Sequence, residues 1–279
     1  MNMLRSGLIG RAILASRSPW LHEQEAQAQG LALRYDIYDF TQRGLNDNAL
    51  GTMVTELRDA GLVGFNVTYP FKQQVIALLD ALDDSAEIVG AVNTVAIRDG
   101  RLIGYNTDMS GFRQSVVDGL AGAAMRRVLQ LGAGGAGAAV ASALLSLGVE
   151  RLDIGDIDRD RANALVTMLA NRFGAERVGV RDADDRATDT VDGIVNATPV
   201  GLAANPGMPI DPARIEPRHW VADIVYFPLE TELLRVARAK GCRTLDGSGM
   251  VINQAASAFE IITGAPADRA RMRASFFAT

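Results

Sequence analysis

A single cysteine, Cys242, stands in the 279 residues, so no internal disulfide can form and a reducing compartment is the expected setting. Histidine is almost as scarce. His22 and His219 sit far apart, with no Cys/His/Asp cluster at ligand spacing, and no bound metal is expected. The sequence contains no apolar run of about eighteen residues, and the short apolar stretch near the N-terminus is broken by Arg5 and Ser6; neither a membrane span nor a signal-peptide core is expected. Lys and Arg form no stripe or block, and 28 of them against 33 Asp and Glu leave a net charge of −5, which argues against nucleic acid or an anionic membrane as partner. These absences point to a cytoplasmic protein, monomer or homodimer, whose partner is a small molecule. There is enough apolar material, 48%, for two modest cores.

Near mid-chain stands Leu129-Gln130-Leu131-Gly132-Ala133-Gly134-Gly135-Ala136-Gly137, an apolar stub followed by G-x-G-x-x-G and then by an Ala/Leu stretch. The first glycine permits a tight turn, the second lets the backbone approach a pyrophosphate, and the third lets helix pack on strand, with the helix N-terminus facing the phosphates. A Gly-rich turn alone is a weak signal. Its context strengthens it: Val128 to Leu131 reads as a buried parallel strand, Ala138 to Leu147 as an apolar helix stopped at Gly148, and Arg151 to Ile154 as a second strand ending at Asp156. A carboxylate about 20 residues past the last glycine is placed to accept bonds from the ribose hydroxyls of NAD, where an NADP site needs a phosphate-binding residue. Asp156 and Asp158 flank Ile157, so NAD is expected over NADP, although Arg159 and Arg161 lie close enough to reach a phosphate.

In the preceding 130 residues, strand-like and helix-like segments alternate: Leu4 to Ile9, a helix from Pro19, Leu33 to Phe40, a helix through Leu57, Val63 to Thr68, and a helix after Pro70. Ala91 to Ile97 and Arg101 to Tyr105 bracket Asp99-Gly100, a pair that favours a type I′ hairpin turn. A helix from Asp108 to Leu120 leads to the nucleotide loop, and later strands are expected near Val178, Gly193 to Val195, Val221 to Val225 and Arg243 to Leu245. From Gly249 the chain reads as amphipathic helix. The expected architecture is α/β: an N-terminal α/β substrate domain over 1–107, with helices of 249–279 packing back on it, and a Rossmann-type doubly wound nucleotide domain over 108–248, with a cleft between.

Four polar clusters fall at strand ends and turns, where a rigid scaffold can aim side chains at a ligand. They are Ser16-Arg17-Ser18-Pro19, Asn66-Val67-Thr68-Tyr69-Pro70-Phe71-Lys72, Ala91-Val92-Asn93-Thr94 and Asn106-Thr107-Asp108. With the nucleotide loop, Asn196-Ala197-Thr198-Pro199-Val200-Gly201, Tyr226-Phe227-Pro228, and Gly249-Met250 with Asn253-Gln254-Ala255, they resemble, in order and along nearly the whole chain, the signature blocks of the shikimate/quinate dehydrogenase family. That resemblance implies reversible oxidation of a ring hydroxyl with Lys72 and Asp108 as the catalytic pair. A lysine can stabilise charge on the reacting oxygen while a carboxylate shares the proton. It further implies Ser16, Ser18 and Thr68 as binders of a ring carboxylate, with Tyr226 adding a phenol, and Asn66, Asn93 and Gln254 as groups that contact or order ring hydroxyls. Thr198, Gly249 and Met250 join Gly132, Ala133, Gly134, Gly135, Ala136, Gly137, Asp156, Asp158 and Arg161 on the cofactor side.

Each residue also has a plainer reading: Lys72 as a solvated lysine in a first helical turn, Asp108 as a helix cap, Ser16 and Ser18 as caps for the helix at Pro19, and His22 as a packing residue. The sequence departs from the NADP-using pattern, Asn-Arg-Thr or Asn-Arg-Ser, where it has Asp156-Ile157-Asp158. The expected reaction is interconversion of shikimate and 3-dehydroshikimate with NAD, with quinate as a second substrate. Alternatives are an NADP-dependent biosynthetic enzyme, an aminoshikimate-type paralogue, and a catalytically idle binder of nucleotide and ring acid.

Overall fold

The structure, a computed structural model, describes residues 3–181 and 188–278. The chain divides into two compact units: one runs to Thr107 and resumes at Ile252, and the other is Asp108–Val251.

The first unit begins with β1 (Leu4–Gly10), α1 (Ser18–Ala28), β2 (Leu33–Asp39), α2 (Leu50–Asp59) and β3 (Gly64–Val67). A two-residue β4 (Ala81–Leu82), α3 (Asp84–Val89) and the hairpin β5 (Thr94–Arg98) and β6 (Arg101–Tyr105) follow. The mixed sheet runs β2-β1-β3-β5-β6-β4. β1 lies parallel to β2 and to β3, Leu8 opposite Asn66, and β3 lies antiparallel to β5, Asn66 opposite Thr94. The ends of β1, β3 and β6 and the start of β5 therefore share one sheet edge, and the four polar clusters leave from it. Both central residues of the hairpin turn, Asp99 and Gly100, have positive φ (52° and 77°), as a type I′ turn requires. Phe40, Phe65 and Phe71 centre the core, the rings of Phe40 and Phe71 4.5 Å apart.

After Pro70 the expected α-helix is replaced by turns and a 3-10 segment, Gln74–Leu78. The Lys72 carbonyl accepts from Val92 N at 2.8 Å and is withdrawn from any helical ladder, while Ile76 N bonds back only to Gln73. No element was expected at β4 or α3, which are too short for a periodicity to register.

The chain enters the second unit within α4 (Thr107–Gly119), then forms β7 (Arg127–Leu131), α5 (Gly135–Ser146), β8 (Arg151–Gly155), α6 (Arg159–Phe173), β9 (Val178–Val180), β10 (Gly193–Asn196), β11 (Trp220–Asp223), α7 (Glu232–Ala239) and β12 (Arg243–Leu245). Its sheet, β12-β11-β10-β7-β8-β9, is parallel throughout and doubly wound. Strand order reverses between β7 and β10, so the loops that follow these two strands flank the switch point, where ligands bind in such sheets. α5 begins three residues earlier than its apolar stretch, because Gly134 is extended and acts as its cap. Val225 lies beyond β11: its N–H bonds the Asp223 carboxylate at 3.0 Å instead of continuing the ladder. The chain leaves this unit within α8 (Ser248–Thr263), and α9 (Arg269–Phe277) completes the first unit. Among the described residues no helix is long and apolar enough to cross a membrane.

Candidate functional site

In the first unit the two serines before α1 bond each other, and a separate hydrogen-bond chain runs from Tyr35 to Gln254. Ser16 Oγ bonds Ser18 Oγ at 3.1 Å and accepts from Ser18 N at 3.2 Å. The Tyr35 hydroxyl donates to Asn66 Oδ1 at 2.8 Å. Asn66 Nδ2 spends its two hydrogens on the Asn93 carbonyl, 3.1 Å, and Thr94 Oγ1, 2.9 Å. Asn93 Oδ1 accepts from Thr107 N at 2.8 Å, and Asn93 Nδ2 reaches Thr107 Oγ1 at 3.0 Å and Gln254 Oε1 at 3.5 Å. Asn66, buried with its donors used, orders the cluster and retains only acceptor capacity. Tyr35, Thr94 and Thr107 belong to this chain although no motif marked Tyr35. Its only sequence signal is an aromatic at an inward strand position.

The serine turn is not a helix cap. α1 begins at Ser18 with Arg17 in the cap position and no side-chain cap bond, and the two hydroxyls bond each other. Asp39 holds the backbone leading into that turn: it accepts from Ala12 N, Ile13 N, Thr41 N and Gln42 N at 2.7–3.3 Å. Burial pushes this carboxyl up, and the four backbone donors outweigh it, leaving its pKa below the usual range. His22 is a packing residue here. Its ring lies 4.7 Å from Tyr35 and 6.0 Å from Phe259, Nδ1 has no partner, and burial lowers its pKa to about 4.

Thr68 follows β3 directly, its N–H on the Ile9 carbonyl and its methyl group against Gly10. Lys72 is half-buried in the turn beyond it, fixed on one side by fully buried Phe71 and on the other by its own carbonyl bond to Val92. Asp108 is buried in the first turn of α4 rather than at its cap, because Asn93 binds the N–H of Thr107 and starts the helix one residue earlier.

In the second unit the three motif glycines have separable steric roles. A Cβ on Gly132, whose φ is +103°, would meet the Ala197 carbonyl at 2.5 Å, and one on Gly137 would meet the Gly132 carbonyl at 2.4 Å. One on Gly134 would meet nothing within 4 Å. Turn and packing therefore need Gly132 and Gly137, while Gly134 presents bare backbone at the start of α5, ahead of Gly135 and Ala136, which fits a pyrophosphate. Gln130, buried under the loop, donates to the carbonyls of Gly132 and Gly137 at 2.9 and 2.8 Å, a clamp that its place in a strand did not suggest.

Asp156 is drawn into the same loop, accepting from Ala133 N at 2.7 Å and from Asp158 N at 2.9 Å. Asp158 caps α6 through Arg161 N and pairs with the Arg161 guanidinium at 3.3 Å, while Ile157 stands 94% exposed between the two acids. Thr198 bonds Asn196, and Asn196 bonds Asp223, which also accepts from Thr231 Oγ1 at 2.7 Å. This buried group ties together the turns after β10 and β11; burial raises the Asp223 pKa to about 6 against those donors. Tyr226 is exposed in the turn after β11. Gly249 packs where a Cβ would meet Ser115 Oγ at 2.2 Å, and Met250 beside it is buried.

Residues 8–95 match the model of the shikimate dehydrogenase substrate binding domain, and 247–275 that of the shikimate 5'-dehydrogenase C-terminal domain. A shikimate dehydrogenase (NADP(+)) of Pseudarthrobacter chlorophenolicus is 48% identical over 97% of this chain and 93% of its own. A quinate/shikimate dehydrogenase (NAD(+)) of Corynebacterium efficiens is also 48% identical, over 97% and 96%. The quinate dehydrogenase of Corynebacterium glutamicum, solved in complex with NAD, superposes with a TM-score of 0.94 at 43% identity and 99% coverage of both chains. With similarity of this extent across both units, the chain belongs to the shikimate/quinate dehydrogenase family.

Proposed function

We propose that the protein oxidises shikimate reversibly to 3-dehydroshikimate with NAD as the preferred dinucleotide, and takes quinate as a second substrate. The observation that carries this reading is the bonded serine pair Ser16 and Ser18 together with the connected neutral hydroxyls and amides from Tyr35 to Gln254, the donor and acceptor inventory that a polyhydroxylated ring acid requires. Ser16, Ser18 and Thr68 bind the carboxylate; Asn66, Asn93 and Gln254 order or contact the ring hydroxyls; and Tyr226 adds a phenol. Lys72 and Asp108 are the acid–base residues. The lysine hydrogen-bonds the reacting oxygen and the carboxylate shares its proton.

The nucleotide cradle fits a dinucleotide: Gly134 leaves the loop backbone bare, and Gln130 and Asp156 hold that backbone rigid from beneath. A bound nicotinamide supplies the hydride acceptor. Gly132 to Gly137 cradle the pyrophosphate, and Thr198, Gly249 and Met250 lie toward the nicotinamide end. Relatives of both cofactor types are equally similar, so the preference for NAD rests on residues 156–158. Two carboxylates there oppose a 2′-phosphate, Ile157 offers no guanidinium, and Arg161 is already paired with Asp158. The single, buried Cys242 agrees with a cytoplasmic setting.

The test is a matrix of shikimate and quinate against NAD and NADP, followed by the absorbance of the reduced nicotinamide. Shikimate with NAD should give the highest kcat/KM. A higher value with NADP would overturn the cofactor assignment, and no turnover of either acid with either dinucleotide would overturn the reaction.

A further inference from the structure

Asp39 closes β2 directly opposite Gly10, the last residue of β1, so its side chain reaches the loop into which β1 runs. That loop holds an alanine in an uncommon conformation. Ala12 has a φ of +56°, left-handed backbone in which a Cβ crowds the following carbonyl, and among the described residues the only other non-glycine with positive φ is Asp99 of the hairpin turn. Such backbone persists at an alanine only where its surroundings impose it. Here the N–H groups of Ala12 and Ile13 converge on the buried Asp39 carboxylate, at 3.1 Å on Oδ1 and 2.7 Å on Oδ2. Successive amides point at one anion in this way when the backbone between them is folded back rather than extended. Ala12 also stands at a junction. On its N-terminal side Arg11 N bonds the Tyr69 carbonyl at 3.0 Å, next to Thr68; on its C-terminal side the Ile13 carbonyl accepts from Ser16 N at 3.0 Å, and Ser16 bonds Ser18.

We propose that Asp39 is a positioning residue whose carboxylate keeps Ala12 left-handed and so sets where the Ser16 and Ser18 hydroxyls stand relative to Thr68. The proposal rests on the reading of Ser16, Ser18 and Thr68 as the carboxylate grip. The same carboxylate accepts from Thr41 N and Gln42 N in the turn after β2, at 2.8 and 3.3 Å, so removing it loosens two turns at once. Only the first of them is governed by the backbone at position 12. A glycine there adopts positive φ without the Cβ penalty and needs no carboxylate to hold it, whereas no change at position 12 restores the turn after β2.

The experiment compares wild type with Asp39→Asn, Ala12→Gly and the double variant, measuring KM for shikimate and KM for NAD. Ala12 N and Ile13 N use different carboxylate oxygens, so whichever way an asparagine turns, one of them faces an amide instead of an acceptor. Asp39→Asn should raise the shikimate KM about 5–20-fold with the NAD KM unchanged, Ala12→Gly alone should stay within about twofold of wild type, and the double variant should return to within about threefold. A shikimate KM within about twofold of wild type in Asp39→Asn, while Ser16→Ala and Thr68→Ala are impaired, overturns the proposal and leaves the grip reading standing. Unimpaired Ser16→Ala and Thr68→Ala overturn that reading and the proposal with it. A double variant no better than Asp39→Asn, an impaired Ala12→Gly, or a parallel rise in both KM values would show that Asp39 does not act through Ala12, and also overturns it. Should Asp39→Asn fail to accumulate, Ala12→Val keeps the carboxylate and opposes left-handed backbone at an exposed position. An unchanged shikimate KM in that protein overturns the proposal, and a raised one with the NAD KM unchanged supports it.

Discussion

Lys72 is set by bonds that its own side chain does not make. Phe71 is sunk in the core and the Lys72 carbonyl is held by Val92, so the backbone beneath the ammonium is rigid while the side chain stays half-buried. Asp108 has the comparable support of Thr107, bound through its N–H to Asn93. Lys72→Ala and Asp108→Asn should lose about 10²–10⁴-fold in kcat, with the KM for NAD little changed. Near-wild-type turnover in both variants would remove them from the acid–base role. Ser16→Ala and Thr68→Ala should each lower kcat/KM for shikimate by about 10–10²-fold, the cost of one hydroxyl donor to a charged oxygen. Unchanged steady-state kinetics in both would return these residues to the support of their turns.

At the scale of elements, the proposed preference for NAD rests on the turn between β8 and α6. Asp156→Asn, Ile157→Arg and Asp158→Thr can be combined there without dismantling the fold, since an asparagine oxygen can still accept from Ala133 N and a threonine hydroxyl can still cap α6. The triple substitution removes two negative charges and supplies a guanidinium. The ratio of kcat/KM for NADP to that for NAD should rise by about tenfold to a thousandfold, with the shikimate KM nearly constant. An unmoved ratio would shift the determinant elsewhere, Arg159 being the next residue to change. A second element pair, α1 and α9, meets through Glu25, whose side chain is fully buried and accepts from Arg271 Nε and Nη2 at 2.8 Å each and from Asp268 N. Arg271→Ala leaves that carboxylate buried without its counter-charge and should lower the thermal midpoint by several degrees. Arg235→Ala, which breaks the exposed pair with Glu232, should hardly move it. Equal shifts in the two variants would contradict this account of α9.

The two sheets were legible in the sequence where the pattern is local. The β5–β6 hairpin announces itself through Asp99-Gly100, and the nucleotide loop through a strand, spaced glycines and an apolar helix. What was not legible depends on partners far along the chain. The turn around Lys72 looks like a helix start until Val92 claims its carbonyl. Gln130 looks like a strand residue until the loop folds over it, and Tyr35 and Asp39 look like ordinary β2 residues until Asn66 and the turn after β1 arrive.

On the scale of the whole molecule, each unit carries a buried ionisable group of opposite consequence. In the first unit His22 has an ordinary value of 6.5 when unfolded and about 4 when folded, so the unfolded chain binds the extra proton between those limits. The stability His22 allows is complete above pH 6.5 and is lost as the pH falls toward 4. In the second unit Asp223 goes the other way, from 3.8 unfolded to about 6 folded. There the folded state binds the extra proton, and its contribution is complete below pH 3.8 and lost as the pH rises through 6. Each shift, at 1.36 kcal/mol per pH unit, is worth about 3 kcal/mol. Because every variant also changes packing, the informative quantity is how the wild-type-minus-variant difference varies with pH, in which a constant packing offset cancels. Between pH 7 and pH 4, urea unfolding should show wild type losing about 3 kcal/mol relative to His22→Leu and gaining about 2 kcal/mol relative to Asp223→Asn. Two differences that stay flat with pH, or that change with the same sign, would mean that these groups do not titrate as their burial requires.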